Sequence, residues 1–281
     1  MWNATKTGIL MVMMTALLLF VGSRFGPHGL IIAGAFALIG NVGSYWFSDK
    51  IVLRIYRAKE VSESEAPDLH ATVERLANAA GLPKPKVCIV PSQSSNAFAT
   101  GRNPSHAVVA VTEGSLRLLS SDELEGVLAH EMAHVANRDM LISTIVAVMA
   151  GTIMMLATII RWGLLFRGMG GRGGRDSGLL VLLAITILAP IAAVLIQLAV
   201  SRSREYEADA QGARLAGDPR GLAGALEKLQ MASQRIPLQS GPATAHLFIV
   251  NPLSGKGLAR LFSSHPPTEE RIRRLRNMTT I

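Results

Sequence analysis

Four stretches of this chain contain no Asp, Glu, Lys or Arg, and they constrain its fold more than any other feature. They are residues 7–23, 25–48, 140–160 and 177–201, with lengths of 17, 24, 21 and 25. A helix needs about 20 apolar residues to cross a bilayer. All four are close to or above that length, the first being marginal. Composition points the same way: of 281 residues, 49% are hydrophobic and only 17% charged, and mean hydropathy is +0.33. A soluble domain of this size needs more charge to cover its surface. Disordered and fibrous chains carry less apolar content. The expectation is a multi-pass membrane protein.

The first run follows Lys6, and no Ala-x-Ala site follows Phe20 before the second run begins. It therefore reads as an uncleaved anchor rather than a signal peptide. Residues 7–47 form a predicted helical hairpin turning near Ser23–Gly29, where Gly26 and Pro27 suit a turn. Lys50, Arg54, Arg57 and Lys59 follow the second run, whereas the first loop carries only Arg24. The positive-inside rule then places both termini and the large polar segments in the cytoplasm. The loop 161–176 goes against it, with Arg161, Arg167, Arg172, Arg175 and six glycines. Either the rule is broken there, or runs three and four form a hairpin that does not fully span.

Four segments follow: a transmembrane hairpin over 1–48, a cytoplasmic part over 49–139, a second hairpin over 140–201 and a second cytoplasmic part over 202–281. In the first cytoplasmic part, 67–80 has helical periodicity through Leu69, Val73 and Leu76, ended by Gly81 and Pro83. Lys86–Val90 and Ala107–Thr112 read as strands, and Asn96–Gly101 as a strand or a loop. Ser121 or Asp122 can cap a helix that runs on towards the third apolar run. In the second part, helices are expected up to Ala216, over 219–234 and over Thr268–Arg276, with a loop at 237–257.

The net charge of +8 permits anionic partners, but aromatics are only 5%, too few for nucleic-acid stacking. The basic tail is better matched to lipid headgroups, so nucleic acid is not an expected partner. The single cysteine, Cys88, excludes an internal disulfide, fits a reducing compartment and reads as a buried strand residue.

His130-Glu131-Met132-Ala133-His134 fits H-E-x-x-H. On a helix, the imidazoles at i and i+4 share a face and can ligate one Zn²⁺. Glu131, beside the first ligand, can take a proton from the attacking water and pass it to the leaving amine. A metzincin would need Gly at 137 and His at 140; Asn137 and Met140 stand there. A Glu-type zincin takes a carboxylate from a later E-x-x-x-D helix, and Glu205-Tyr206-Glu207-Ala208-Asp209 supplies one. Glu205 can ligate while Asp209, on the same face, orients a histidine or another group around the ligands. Glu207 lies about 200° round the helix from Glu205 and is a poor alternative. His134 precedes the third run by six residues and Glu205 follows the fourth by four. A hairpin of those two runs would bring both within roughly 10 Å of one membrane boundary. Because ligand imidazoles must be neutral, activity should be lost in acid.

These residues, with Ser94–Gly101 (SSNAFATG), Ser201–Asp209 (SRSREYEAD) and Ser264–Arg271 (SHPPTEER), resemble HtpX-type membrane metallopeptidases. CaaX prenyl-protein zinc peptidases belong to the same broad family. The resemblance covers nearly the whole chain. It implies an α-rich integral membrane protein with four apolar helices and a small mixed α/β Glu-zincin domain. It also implies one Zn²⁺ per chain, held by His130, His134 and Glu205, with Glu131 as general base. By the same resemblance His265 stabilises the tetrahedral intermediate and Arg271 pairs with Asp209. Asn96, Ala97 and Phe98 then form a strand edge that holds the substrate backbone. His265 can instead sit in a rigid turn before Pro-Pro, and Arg271 can contact lipid. The implied activity is an endopeptidase of the bacterial inner membrane that cleaves misfolded or damaged membrane proteins at the cytoplasmic face in quality control and stress response. The alternatives are a CaaX-type prenyl-protein peptidase and a non-catalytic zinc-binding membrane adaptor.

Overall fold

The structure, a computed structural model, describes residues 2–23, 26–150, 152–153, 202–235, 247, 249–250 and 266–278. The Gly- and Arg-rich loop 161–176, the fourth apolar run and His265 lie outside the described residues.

The first two runs form α1 (Trp2–Ser23) and α2 (Gly26–Ile55), packed as an antiparallel hairpin. A Cβ on Gly22 would lie 2.7 Å from Gly29 O, so the backbones touch there. Nearer the other end, Asn41 Nδ2 donates to Thr15 Oγ1 at 2.8 Å. Small residues at the crossing and an interhelical polar bridge are how helices associate where lipid replaces water. Within α2, Gly26–Phe47 is the one helix among the described residues long and apolar enough to cross a membrane. The apolar part of α1, Thr7–Phe20, is shorter. The third run starts as a helix, Asp139–Ala150, labelled α6 below. The expectation of four apolar membrane helices is thus met by one clear candidate span.

The remaining described residues build an α/β unit. Its sheet has the order β1-β2-β4-β3, from Lys59–Glu60 (β1), Lys86–Val90 (β2), Ala97–Thr100 (β3) and Val108–Thr112 (β4). β2 and β4 run parallel, with Lys86 opposite Val108 and Val90 opposite Thr112. β3 lies antiparallel on β4, with Ala97 opposite Val111, and forms the sheet edge. Within Asn96–Gly101, Ala97–Thr100 is therefore a strand, and all four of its residues are buried.

Helices α3 (Pro67–Ala79) and α4 (Glu113–Leu118) flank the sheet. The motif helix α5 (Ser121–Ala136) packs on β3 and α3. Its cap is Ser120, one residue before the expected Ser121 and two before Asp122. The Ser120 hydroxyl accepts from Glu123 N while the Glu123 carboxylate accepts from Ser120 N, so two orphan amides are satisfied together.

Three later helices complete the domain: α7 (Arg202–Ala216), α8 (Pro219–Arg235) and α9 (Thr268–Arg276). α5 is clamped between α7 and α8. At the crossings, Cβ atoms on Gly212 and Gly126 would lie 2.8 Å from His130 N and 2.4 Å from Leu222 N. Only hydrogen in place of a side chain permits these approaches. Val127, Leu128, Met132 and Val135 of α5 join Leu76, Val109, Val111, Leu222, Leu226 and Leu275 in one core.

The motif helix does not run unbroken into the third apolar run, as its sequence suggested. It ends at Ala136, and Arg138 adopts a left-handed φ of 57° before α6 begins. Asn137 Nδ2 donates to Gln211 Oε1 of α7 at 2.9 Å, a tertiary bond that fixes the turn.

Candidate metal centre

His130 and His134 share one face of α5 with ring centroids 4.7 Å apart, and Glu205 of α7 faces them. Ligand-capable atoms of His130, His134 and Glu205 all lie within 4.8 Å of one another. His134 Nε2 is 3.5 Å from Glu205 Oε1, and His130 Nε2 is 3.9 Å from Glu205 Oε2.

Each imidazole backs onto a carboxylate through its other nitrogen. His130 Nδ1 lies 2.9 Å from Asp209 Oδ1, though off the ring N–H direction. His134 Nδ1 lies 3.2 Å from Asp139 Oδ2. A carboxylate on that side keeps the proton on Nδ1 and leaves Nε2 to face a metal. Each carboxylate is in turn held by an arginine. Arg271 donates to both oxygens of Asp209, Nε at 2.8 Å and Nη2 at 2.7 Å, and its Nη1 to Ile249 O at 2.7 Å. Arg204 Nη1 donates to Asp139 Oδ1 at 3.0 Å. The Asp209–Arg271 pairing was implied by the family resemblance, whereas Asp139 and Arg204 were not. Their signal was faint: an Asp five residues after His134 falls off the histidine face of a continuous helix.

Glu131 is buried on the neighbouring face, and its Oε2 accepts the Ala99 N–H of β3 at 2.8 Å. The outer edge of β3 therefore borders this carboxylate, which holds one of its amides. Asn96 is buried and structural in its bonding: Oδ1 accepts from Ala97 N at 2.9 Å and Ile249 N at 3.1 Å. Ala97 and Phe98 are also buried, and the Phe98 ring packs against Tyr56.

Charge explains the unusual burial. Glu131, Asp139, Glu205 and Asp209 are each 5% exposed or less. Among the described residues they meet two guanidiniums, Arg204 and Arg271, leaving two negative charges when both imidazoles are neutral. Buried charge must be compensated, and a divalent cation does so. Two imidazoles and a carboxylate with their donor atoms converging fit a His₂Glu zinc site. Without a metal the charges redistribute. Burial pushes the Glu131 pKa up to about 7. Burial opposes the charged form of His134, but Asp139, Glu205 and Glu131 outweigh it and raise its pKa to about 9. Burial likewise opposes ionisation of Asp209, and the Arg271 charge and hydrogen bonds override it, holding Asp209 at about 2.

An H-E-x-x-H helix, a later carboxylate helix and an edge strand beside the glutamate define a zincin-type metallopeptidase. A family model described as peptidase family M48 matches residues 63–279. The chain belongs to that family. The protease HtpX homolog of Syntrophobacter fumaroxidans is 56% identical over 282 residues, covering 99% of this chain and all of that protein. The protease HtpX homolog of Pyrococcus abyssi is 57% identical over 276 residues, covering 97% and 95%. Among solved structures, that of Ste24p from S. mikatae aligns with a TM-score of 0.50 at 20% identity. That alignment covers 93% of this chain but 62% of that one, and the likeness is one of fold. The protein is thus a metallopeptidase, and neither the prenyl-protein nor the adaptor alternative is favoured.

Proposed function

We propose that this protein is a membrane-bound zinc endopeptidase that cleaves misfolded or damaged membrane proteins at the cytoplasmic face. The observation that carries the reading is Glu131: it stands beside the His130, His134 and Glu205 cluster and touches the edge strand through Ala99. His130, His134 and Glu205 hold one zinc per chain. Zinc, when bound, supplies a Lewis acid for the scissile carbonyl and makes water a nucleophile near neutral pH.

The chain's own groups do the rest. A substrate segment pairs with the outer edge of β3, taking over the Ala99 amide that Glu131 holds, and such main-chain hydrogen bonds tolerate many sequences, as quality control requires. Glu131 accepts the proton of the attacking water and delivers it to the leaving amine. Asp209 fixes the His130 ring, and Arg271 fixes Asp209. His265 is assigned to stabilise the developing oxyanion. The four apolar runs span the inner membrane with both termini cytoplasmic, supported by the length of α2 and the basic residues after it.

The test is wild type and Glu131→Gln, purified in detergent, with metal content and cleavage of casein or a membrane protein measured together. The proposal requires about one zinc in each and cleavage by wild type alone. Equal cleavage by Glu131→Gln would sink the base assignment.

A further inference from the structure

The connection from β3 to β4 meets the end of the apolar stretch of α2 in a pocket of about 250 Å³. Its lining is Trp46, Phe47, Asp49, Lys50, Arg102 and His106. The Arg102 guanidinium stacks over the Trp46 ring, 4.6 Å from its centroid, and Lys50 Nζ lies 5.5 Å from that of Phe47. Arg102 Nη2 donates to His106 Nε2 at 2.8 Å, and His106 Nδ1 donates to Asn103 Oδ1 at 2.8 Å. The ring therefore acts as an acceptor that fixes one edge of the guanidinium. Among the described residues, neither Lys50 nor Arg102 forms an ion pair with a carboxylate. Two such cations beside one carboxylate, Asp49, leave a net positive pocket.

We propose that this pocket binds the phosphate of an anionic glycerophospholipid from the leaflet on the catalytic side. The assignment rests on reading α2 as a membrane span. Gly26–Phe47 is the apolar stretch, so Lys50 lies about 4.5 Å beyond it, at headgroup depth. Trp46 and Phe47 are both 51% exposed at that boundary, where aromatic rings anchor a helix. The pocket accommodates a phosphodiester and not an acyl chain, which can run along the exposed Ile39 and Val42 of the same helix. A free phosphate shares the charge chemistry but has no use for the aromatic rim. The site also has a mechanical consequence. Arg102 follows β3 by two residues, and Ala99 of β3 holds Glu131. An occupied pocket ties the catalytic strand to the membrane surface.

The experiment uses the full chain: wild type, Lys50→Gln/Arg102→Gln and Arg102→Lys. Vesicle flotation establishes membrane insertion. Native mass spectrometry and thermal unfolding then follow titration in detergent with phosphatidylglycerol, phosphatidylcholine or inorganic phosphate. Wild type should retain phosphatidylglycerol about ten-fold or more over phosphatidylcholine. The double variant should lose that preference while unfolding like wild type in phosphatidylcholine, and Arg102→Lys should keep part of it. An unchanged preference in the double variant overturns the site. Inorganic phosphate matching the lipid's thermal shift overturns the lipid assignment. A wild-type chain that fails to float overturns the membrane reading and the site together. A chain that floats but shows no preference overturns the site alone.

Discussion

Asp139 bridges His134 and Arg204: Oδ2 lies 3.2 Å from His134 Nδ1, and Oδ1 accepts from Arg204 Nη1 at 3.0 Å. It mirrors the Arg271–Asp209–His130 relay on the other side of the cluster. Both histidines are thus oriented by an arginine-backed carboxylate.

Removing the charge of Asp139 should therefore weaken metal binding, as should removing that of Asp209. Asp139→Asn is expected to lower zinc affinity about 10–100-fold. Competition with a chelator of known affinity measures this directly. Affinity equal to wild type would reduce Asp139 to a structural residue.

Arg271 is 1% exposed, pairs with both oxygens of Asp209 and also binds Ile249 O. Arg271→Met leaves the buried Asp209 carboxylate without its guanidinium and the Ile249 carbonyl without that donor, and should destabilise the domain by about 3–5 kcal/mol. Arg271→Met combined with Asp209→Leu should recover part of that loss. Denaturant midpoints of the two variants decide it.

Glu131 has its pKa raised by burial to about 7 in the metal-free protein, from an ordinary 4.5. Its contribution to stability is full below 4.5 and is lost as pH rises through 7. Metal-free Glu131→Gln should consequently be more stable than metal-free wild type at pH 8, by on the order of 3 kcal/mol. The difference should vanish below pH 4.5. Urea unfolding of chelator-treated protein across that range gives the answer, and a gap that grows toward acid would contradict it.

A Cβ on Gly212 would lie 2.8 Å from His130 N. Gly212→Ala should push α7 from α5, costing about 1–3 kcal/mol and separating Glu205 from the histidines. Thermal midpoint and zinc content should fall together. A lower midpoint with full zinc content would show that the ligands tolerate the shift.

Local sequence carried much of this protein. Apolar runs specified α1 and α2, β-branched segments specified β2 and β4, and the H-E-x-x-H and E-x-x-x-D spacings put paired groups on single helix faces. Those features repeat with a helix or strand period, so one segment reveals them. Asp139 shows where that reasoning stops. No Gly or Pro marks the break after Ala136, and a continuous helix would carry Asp139 away from His134. The break rests on Asn137 bonding Gln211, 74 residues on, and on the left-handed Arg138. The resemblance put Asn96 in a strand edge; the strand begins one residue later, and the Asn96 side-chain oxygen accepts from Ala97 N and Ile249 N. The sequence by itself determined which groups could ligate and where most helices and the strands β2 and β4 form, because local geometry sets those. Tertiary structure decided which carboxylate backs each histidine and which glycines let α5 and α7 touch, because close packing of distant segments sets those distances.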